Sequence, residues 1–174
     1  MIKRVHKTLF QESYAHFSDC DNYRYLLCRT WDESKPAICY LMLNPSTADE
    51  KVNDNTIERC QRRATSMGYG TLIIVNIFPY RLTDSRQLNK VQDLYGDREL
   101  ANLEIVYAVA KADMTICGWG NHKLAGSRAR EIMALLDQHK LLHKIHCLKQ
   151  NSDGSPAHPL YIPYAEQPKP WRPN

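Results

Sequence analysis

The run TLIIVNI (residues 71–77) is rich in β-branched side chains, and its apolar character is broken only by Asn76. A strand with one face in water alternates apolar and polar residues; a continuously apolar one needs cover on both faces. AICYLML (37–43) is of the same kind, and DMTICGWG (113–120) and KIHCL (144–148) read as shorter strands. The segments between them supply the cover. NDNTIERCQRRATSMGYG (53–70) has Ile57, Cys60, Ala64 and Met67 at helical spacing, capping candidates in front and Gly68 placed to end it, with Arg59, Arg62 and Arg63 on its wetter side. DRELANLEIVYAVAKA (97–112) and SRAREIMALLDQHK (127–140) read as two further helices. Strands that alternate with helices imply parallel β-α-β units, so the expected fold class is α/β: a three-layer α/β/α sandwich with a mainly parallel central sheet. YRYLLCRTW (23–31) is separated from AICYLML by DESKP, whose Asp, Ser and Pro favour a turn, and predicts an N-terminal antiparallel hairpin.

Composition bounds this reading. With 174 residues, 43% of them hydrophobic, one domain is expected, over 1–165. The proline-rich remainder, 166–174, is expected to lie extended on the surface or to be disordered. A formal charge of +4 is compatible with a polyanionic partner without the concentrated charge of a nucleic-acid arm. The six cysteines form no CxxC pair and no metal-ligand spacing, and several sit in apolar runs, as reduced thiols in a core do. No run has the apolar length of a membrane span, and MIKRVHKTLFQES at the start is not a signal peptide; a soluble cytoplasmic protein is expected, with no membrane partner.

In parallel sheets ligands bind beyond the carboxyl ends of the strands. Those ends carry NPSTAD, NIFPYR, GWGN and SPAHPLY, which brings Asn44, Ser46, Asp49, Asn76, Tyr80, Arg81, Trp119, Asn121 and His158 to one predicted rim. Amides, hydroxyls, aromatic faces, an imidazole and a cation suit the reading of a planar heterocycle and a phosphate. Each residue also has a structural reading: Asn44-Pro45 as turn chemistry, Ser46, Thr47 and Asp49 as local caps, Trp119 as packing, and Asn76 as a bonded core amide.

These motifs resemble those of the uracil-DNA glycosylase-like superfamily, whose members carry Asn-Pro or Asp-Pro after the first core strand, an Asn ending the next, and His-Pro in a late loop. LMLNPS, TLIIVNIFPYR and SPAHPLY stand in that order here. Over about residues 20–165 the chain is also similar to a bacterial and phage family, domain of unknown function 1643, through LNPSTAD, VNIFPYR and HPLY. The first resemblance implies that Asn44 holds the attacking water, that Asn76 reads the base edge and that His158 stabilises the departing base. Leu160 and Tyr161 would then wedge into a duplex as a nucleotide flips. Asn44 cannot ionise, which leaves Asp49, or Asp54 in NDNT, to supply a negative charge opposite a cationic sugar. Met42 stands where a Gly is common, and His-Pro-Leu replaces His-Pro-Ser.

The expected function is therefore binding of a nucleobase, nucleotide or nucleic acid, with Asn44, His158 and Asp49 as catalytic candidates for hydrolysis of an N-glycosidic bond. Ser46, Asn76, Tyr80, Arg81, Trp119, Asn121, Leu160 and Tyr161 are the substrate-binding candidates. No metal or organic cofactor is implied. The alternatives are a non-catalytic nucleic-acid, nucleotide or protein-binding module, and a phosphohydrolase of free nucleotides using Asp49, Asp54 and Arg81 with a divalent ion.

Overall fold

A computed structural model of the chain describes residues 1–172. In order these form β1 (Ile2–Lys7), β2 (Glu12–Phe17), β3 (Arg24–Thr30), β4 (Ala37–Met42), α1 (Asn55–Ser66), β5 (Thr71–Asn76), α2 (Arg98–Lys111), β6 (Met114–Gly118), α3 (Ala125–Gln138), β7 (Ile145–Cys147) and β8 (Lys169–Pro170). Short 3-10 segments occupy Ser85–Lys90, Leu142–Lys144 and Pro159–Tyr161. All eight strands share one sheet, ordered β1-β2-β3-β5-β4-β6-β7-β8.

The continuously apolar runs sit at its centre. β4 pairs in parallel with β5 on one edge and β6 on the other, and β7 extends the parallel block. Alternate positions divide the core in two. Cys39, Leu41, Ile73 and Val75 join Ile105 and Val109 of α2 and Ile132 and Leu136 of α3. Ile38, Tyr40, Leu72 and Ile74 join Ile57, Cys60 and Ala64 of α1 on the opposite face. Both faces of the central strands are therefore dry, which their composition required. Asp54 and Asp97 cap α1 and α2, accepting the amides of Ile57 and Leu100 at 2.9 Å each.

Four expectations need correction. The sheet is not mainly parallel: β1–β2, β2–β3, β3–β5 and β7–β8 are antiparallel, and only β4–β5, β4–β6 and β6–β7 are parallel. β3 and β4 do not form a hairpin. The chain does reverse between them, with the Lys35 amide bonded to the Asp32 carbonyl, but both edges of β4 are taken by strands arriving over helical crossovers, so β3 bonds the far edge of β5. The N-terminal hairpin is instead β1–β2, where only Ser13, Ala15 and Phe17 are buried and the apolar signal is accordingly weak. Third, Arg63 of α1 is 1% exposed rather than on the wet face.

The fourth correction concerns the tail. Its residues 169–170 are extended and exposed, but they pair with β7, and Trp171 is buried. The Trp171 ring meets Trp119 edge-on at 5.2 Å, and its Nε1 donates to the Gly154 carbonyl at 3.1 Å. Positions 173 and 174 of the predicted tail lie outside the described residues. Trp171→Ala is expected to lower the unfolding free energy by about 3 kcal/mol, the ordinary cost of emptying a buried aromatic site. The check is the urea midpoint at unchanged m-value; a surface tail would leave the midpoint where it is.

Candidate functional site

From β4 the chain crosses to β5 on one side, and from β5 it passes back over β4 to β6 on the other. The loops leaving the carboxyl ends of β4 and β6 therefore diverge, and a crevice opens between them. It is a cavity of about 600 Å³, walled by the loop after β4, the first turn of α1, residues 82–86, the Trp119–His122 turn and the loop that carries His158.

The first wall continues the β4–β5 pairing past the strand ends: the Ile77 amide bonds the Met42 carbonyl at 2.8 Å and the Phe78 amide that of Leu43 at 3.0 Å. Asn44 then ties this loop to the next. Its Nδ2 donates to the carbonyls of Pro45 at 2.9 Å and Leu82 at 2.8 Å, and the Leu82 amide returns a bond to the Pro45 carbonyl at 2.8 Å. Both Nδ2 neighbours are acceptors, so the amide orientation is unambiguous and Oδ1 is the atom left free. Residues 48–53 are held from below by β3. Arg29 reaches the carbonyls of Asp49, Glu50 and Val52 and the side chain of Asn53. Arg24 reaches the Ala48 carbonyl at 2.7 Å. A bulge puts Arg24 there. Against β2, His16 faces Leu26 and Phe17 faces Arg24, so Tyr25 is an extra residue that turns Arg24 to the α1 side of the sheet.

The second wall rests on β6. A Cβ at Gly118 would lie 2.7 Å from Cδ of Pro159, so only glycine lets the His158-Pro159 turn seat on the strand end. Behind it, Arg63 donates to the carbonyls of Ile162, Pro163, Tyr164 and Glu166, and Arg59 joins it at Ile162. His158 Nδ1 faces the Leu160 amide at 3.3 Å within its own turn. Accepting that bond leaves the ring proton on Nε2, making the other nitrogen a donor. Burial lowers the His158 pKa, against a smaller opposing pull from Asp54, and keeps the imidazole neutral.

Of the sequence-predicted residues, Asn44, Ser46, Trp119, Asn121, His158, Leu160 and Tyr161 line the cavity. Asp49, Asn76, Tyr80 and Arg81 do not. The Asp49 carboxylate is occupied by the Lys51 and Val52 amides at 2.8 Å each, as a local cap. Arg81 lies over the Phe17 ring at 5.0 Å and pairs with Asp21, and Tyr80 packs edge-on to Tyr23. Asn76 is buried at the end of β5 beside Met42, with neither side-chain atom hydrogen-bonded among the described residues. The cavity residues that sequence reasoning did not select as site residues include Arg24, Arg86 and His122. Arg24 sits inside the predicted strand YRYLLCRTW, where a charge at an apolar strand's start was the available signal. Asp54, weighed above as a substitute charge, is the one carboxylate of the cavity wall among the described residues.

A family model described as Protein of unknown function (DUF1643) matches residues 24–160, from Arg24 to the His-Pro turn, while no curated protein matches. The matched span leaves out β1, β2 and β8.

Two outcomes follow from this geometry. Asn44→Asp should cost about 2 kcal/mol in chemical denaturation, because it replaces two donated bonds by a carboxylate facing two carbonyls; Asn44→Ala should cost less. Acidification should also act through His158. The unfolded chain takes up a proton as the pH falls through about 6.5, while the folded site resists it, so stability is lost below that pH. Between pH 7.5 and 5 the wild type should lose more stability in urea than His158→Gln; equal losses would show that His158 is not held neutral.

Proposed function

The chain belongs to the DUF1643 family of proteins of unknown function, and from that premise we propose that its cavity takes a nucleobase with its sugar and hydrolyses the N-glycosidic bond between them. In this reading the two helix-covered faces of the sheet form the α/β/α sandwich of the uracil-DNA glycosylase-like type. The observation that carries it is the convergence of Asn44, Asp54 and His158 on one cavity at the sheet's switch point.

Cleaving such a bond requires a held water, negative charge near an oxocarbenium-like sugar, and a donor for the departing base. Asn44 has spent both amide hydrogens on backbone carbonyls, so it acts through Oδ1, accepting a hydrogen bond from the water and orienting it. Asp54 supplies the charge that Asn44 lacks; its Oδ1 caps α1, which fixes the carboxylate in place. His158, neutral with its proton on Nε2, donates to the base oxygen and stabilises the leaving anion without surrendering the proton. Trp119 is 3% exposed and packed against Trp171, which leaves it little ring face for stacking on a ligand.

A binding module without turnover is the second reading, and the uncharged Asn44 in the first motif favours it. The test is release of free base, followed by chromatography, from nucleosides, nucleotides and oligonucleotides. Asp54→Asn keeps a good helix cap while removing the charge, and His158→Gln keeps the volume; each is expected to lower turnover by about 100-fold or more. Full activity in both variants refutes the assigned roles, and binding with no base release from any substrate selects the second reading.

A further inference from the structure

Arg24 has a charge that neither the fold nor the proposed chemistry uses. Three other buried arginines commit most of their guanidinium donors: Arg29 and Arg63 to four acceptors each, Arg128 to the Ile77 carbonyl, Asn102 and Glu131. Arg24 is 2% exposed and makes a single bond, from Nη1 to the Ala48 carbonyl. Its Nε is buried without a partner, and among the described residues it has no ion pair. The edge formed by Nε and Nη2, the fork that matches two oxygens of a phosphate, is therefore unclaimed. Burial lowers its pKa to about 10, which leaves it cationic at neutral pH.

Asp54 and Asp49 act on Arg24 only from beyond ion-pair distance, with Arg81 and Arg29 opposing them, and a buried cation so weakly compensated is costly unless something else neutralises it. Arg24 lines the cavity. So does the first turn of α1, a helix of 12 residues, where Asn55 and Thr56 present the amide-rich, positive end of the helix dipole. The hydroxyls of Ser46 and Thr47 lie on the same wall. Asp54 opposes these groups as a carboxylate of the wall, and Arg86 on the same wall is already paired with Asp84 at 2.8 Å, so the positive side chain left to meet a ligand is Arg24.

We propose that Arg24 and the first turn of α1 form a phosphate subsite, and that the cavity's ligand is a nucleoside monophosphate rather than a nucleoside or an internal nucleotide of a strand. The depth of Arg24 selects the monoester. A terminal phosphate can end against a buried guanidinium, whereas a phosphodiester must continue outward on both sides of it. This rests on the proposed reading of a base with its sugar and adds the class of ligand.

Calorimetric titration of the full chain with orthophosphate, a nucleoside, its 5′-monophosphate and an oligonucleotide without terminal phosphates tests it. The wild type should bind the monophosphate about 10- to 100-fold more tightly than the nucleoside, as charge-assisted hydrogen bonds allow. Arg24→Lys, which keeps the charge and loses the fork, should reduce that ratio by about tenfold. Circular dichroism establishes that the variant is folded; should it not fold, the wild-type ratio and its competition by orthophosphate decide. Equal binding of nucleoside and monophosphate overturns the subsite while leaving the nucleoside reading in place. Arg24-dependent binding of orthophosphate with no affinity for any nucleoside or nucleotide supports the subsite and overturns the nucleotide reading. Tighter binding of the oligonucleotide than of the monophosphate overturns the choice of the monoester.

Discussion

Buried arginines bonded to main-chain carbonyls hold together the part of this molecule that is neither helix nor strand. Loops that pack into the protein lose water, and their carbonyl oxygens must find donors elsewhere. Arg29 serves three carbonyls between Asp49 and Val52, Arg63 serves four between Ile162 and Glu166, and Arg128 serves Ile77 just past β5. A guanidinium suits this work because its five donors spread in a plane and its charge strengthens each bond. Two of the loops that wall the cavity are anchored in this way, the one after β4 from β3 and the one that carries His158 from α1.

The cavity inherits its chemistry from that scaffold. Asn44 has its donors committed and keeps one acceptor, His158 has its acceptor committed and keeps one donor, and Asp54 is fixed by the helix it caps. Groups restricted in this way need little reorganisation when a ligand arrives, which is the condition under which fixed dipoles act most strongly on developing charge. Arg24 stands apart among the buried arginines because its fork is free.

Much of this was legible beforehand. The four parallel strands follow from runs such as TLIIVNI that have no polar face, and the three helices from apolar residues three and four apart, with Asp54 and Gly68 marking the ends of α1. Placing the site at the strand ends required only the β-α-β alternation. β1 and β2 escaped notice because a thin, half-exposed hairpin buries too few side chains to mark the sequence. The hairpin reading of 23–43 failed because DESKP encodes a local reversal, while the insertion of β5 between β3 and β4 depends on a helix-long crossover. Arg63 was assigned to water because a charged residue on an amphipathic helix ordinarily faces it; the carbonyls it serves lie about a hundred residues further along the chain.

By itself, then, the sequence determined the periodic elements and the ends of the strands where a ligand could sit, because periodicity and capping are properties of neighbours along the chain. Tertiary structure alone decided which polar residues line the cavity and which are consumed in holding it. Asp49 and Asp54 are both acidic, five positions apart on one loop. The first closes a turn, and the second caps a helix whose end opens into the cavity. The difference lies in the donors that surround each carboxylate once the chain has folded.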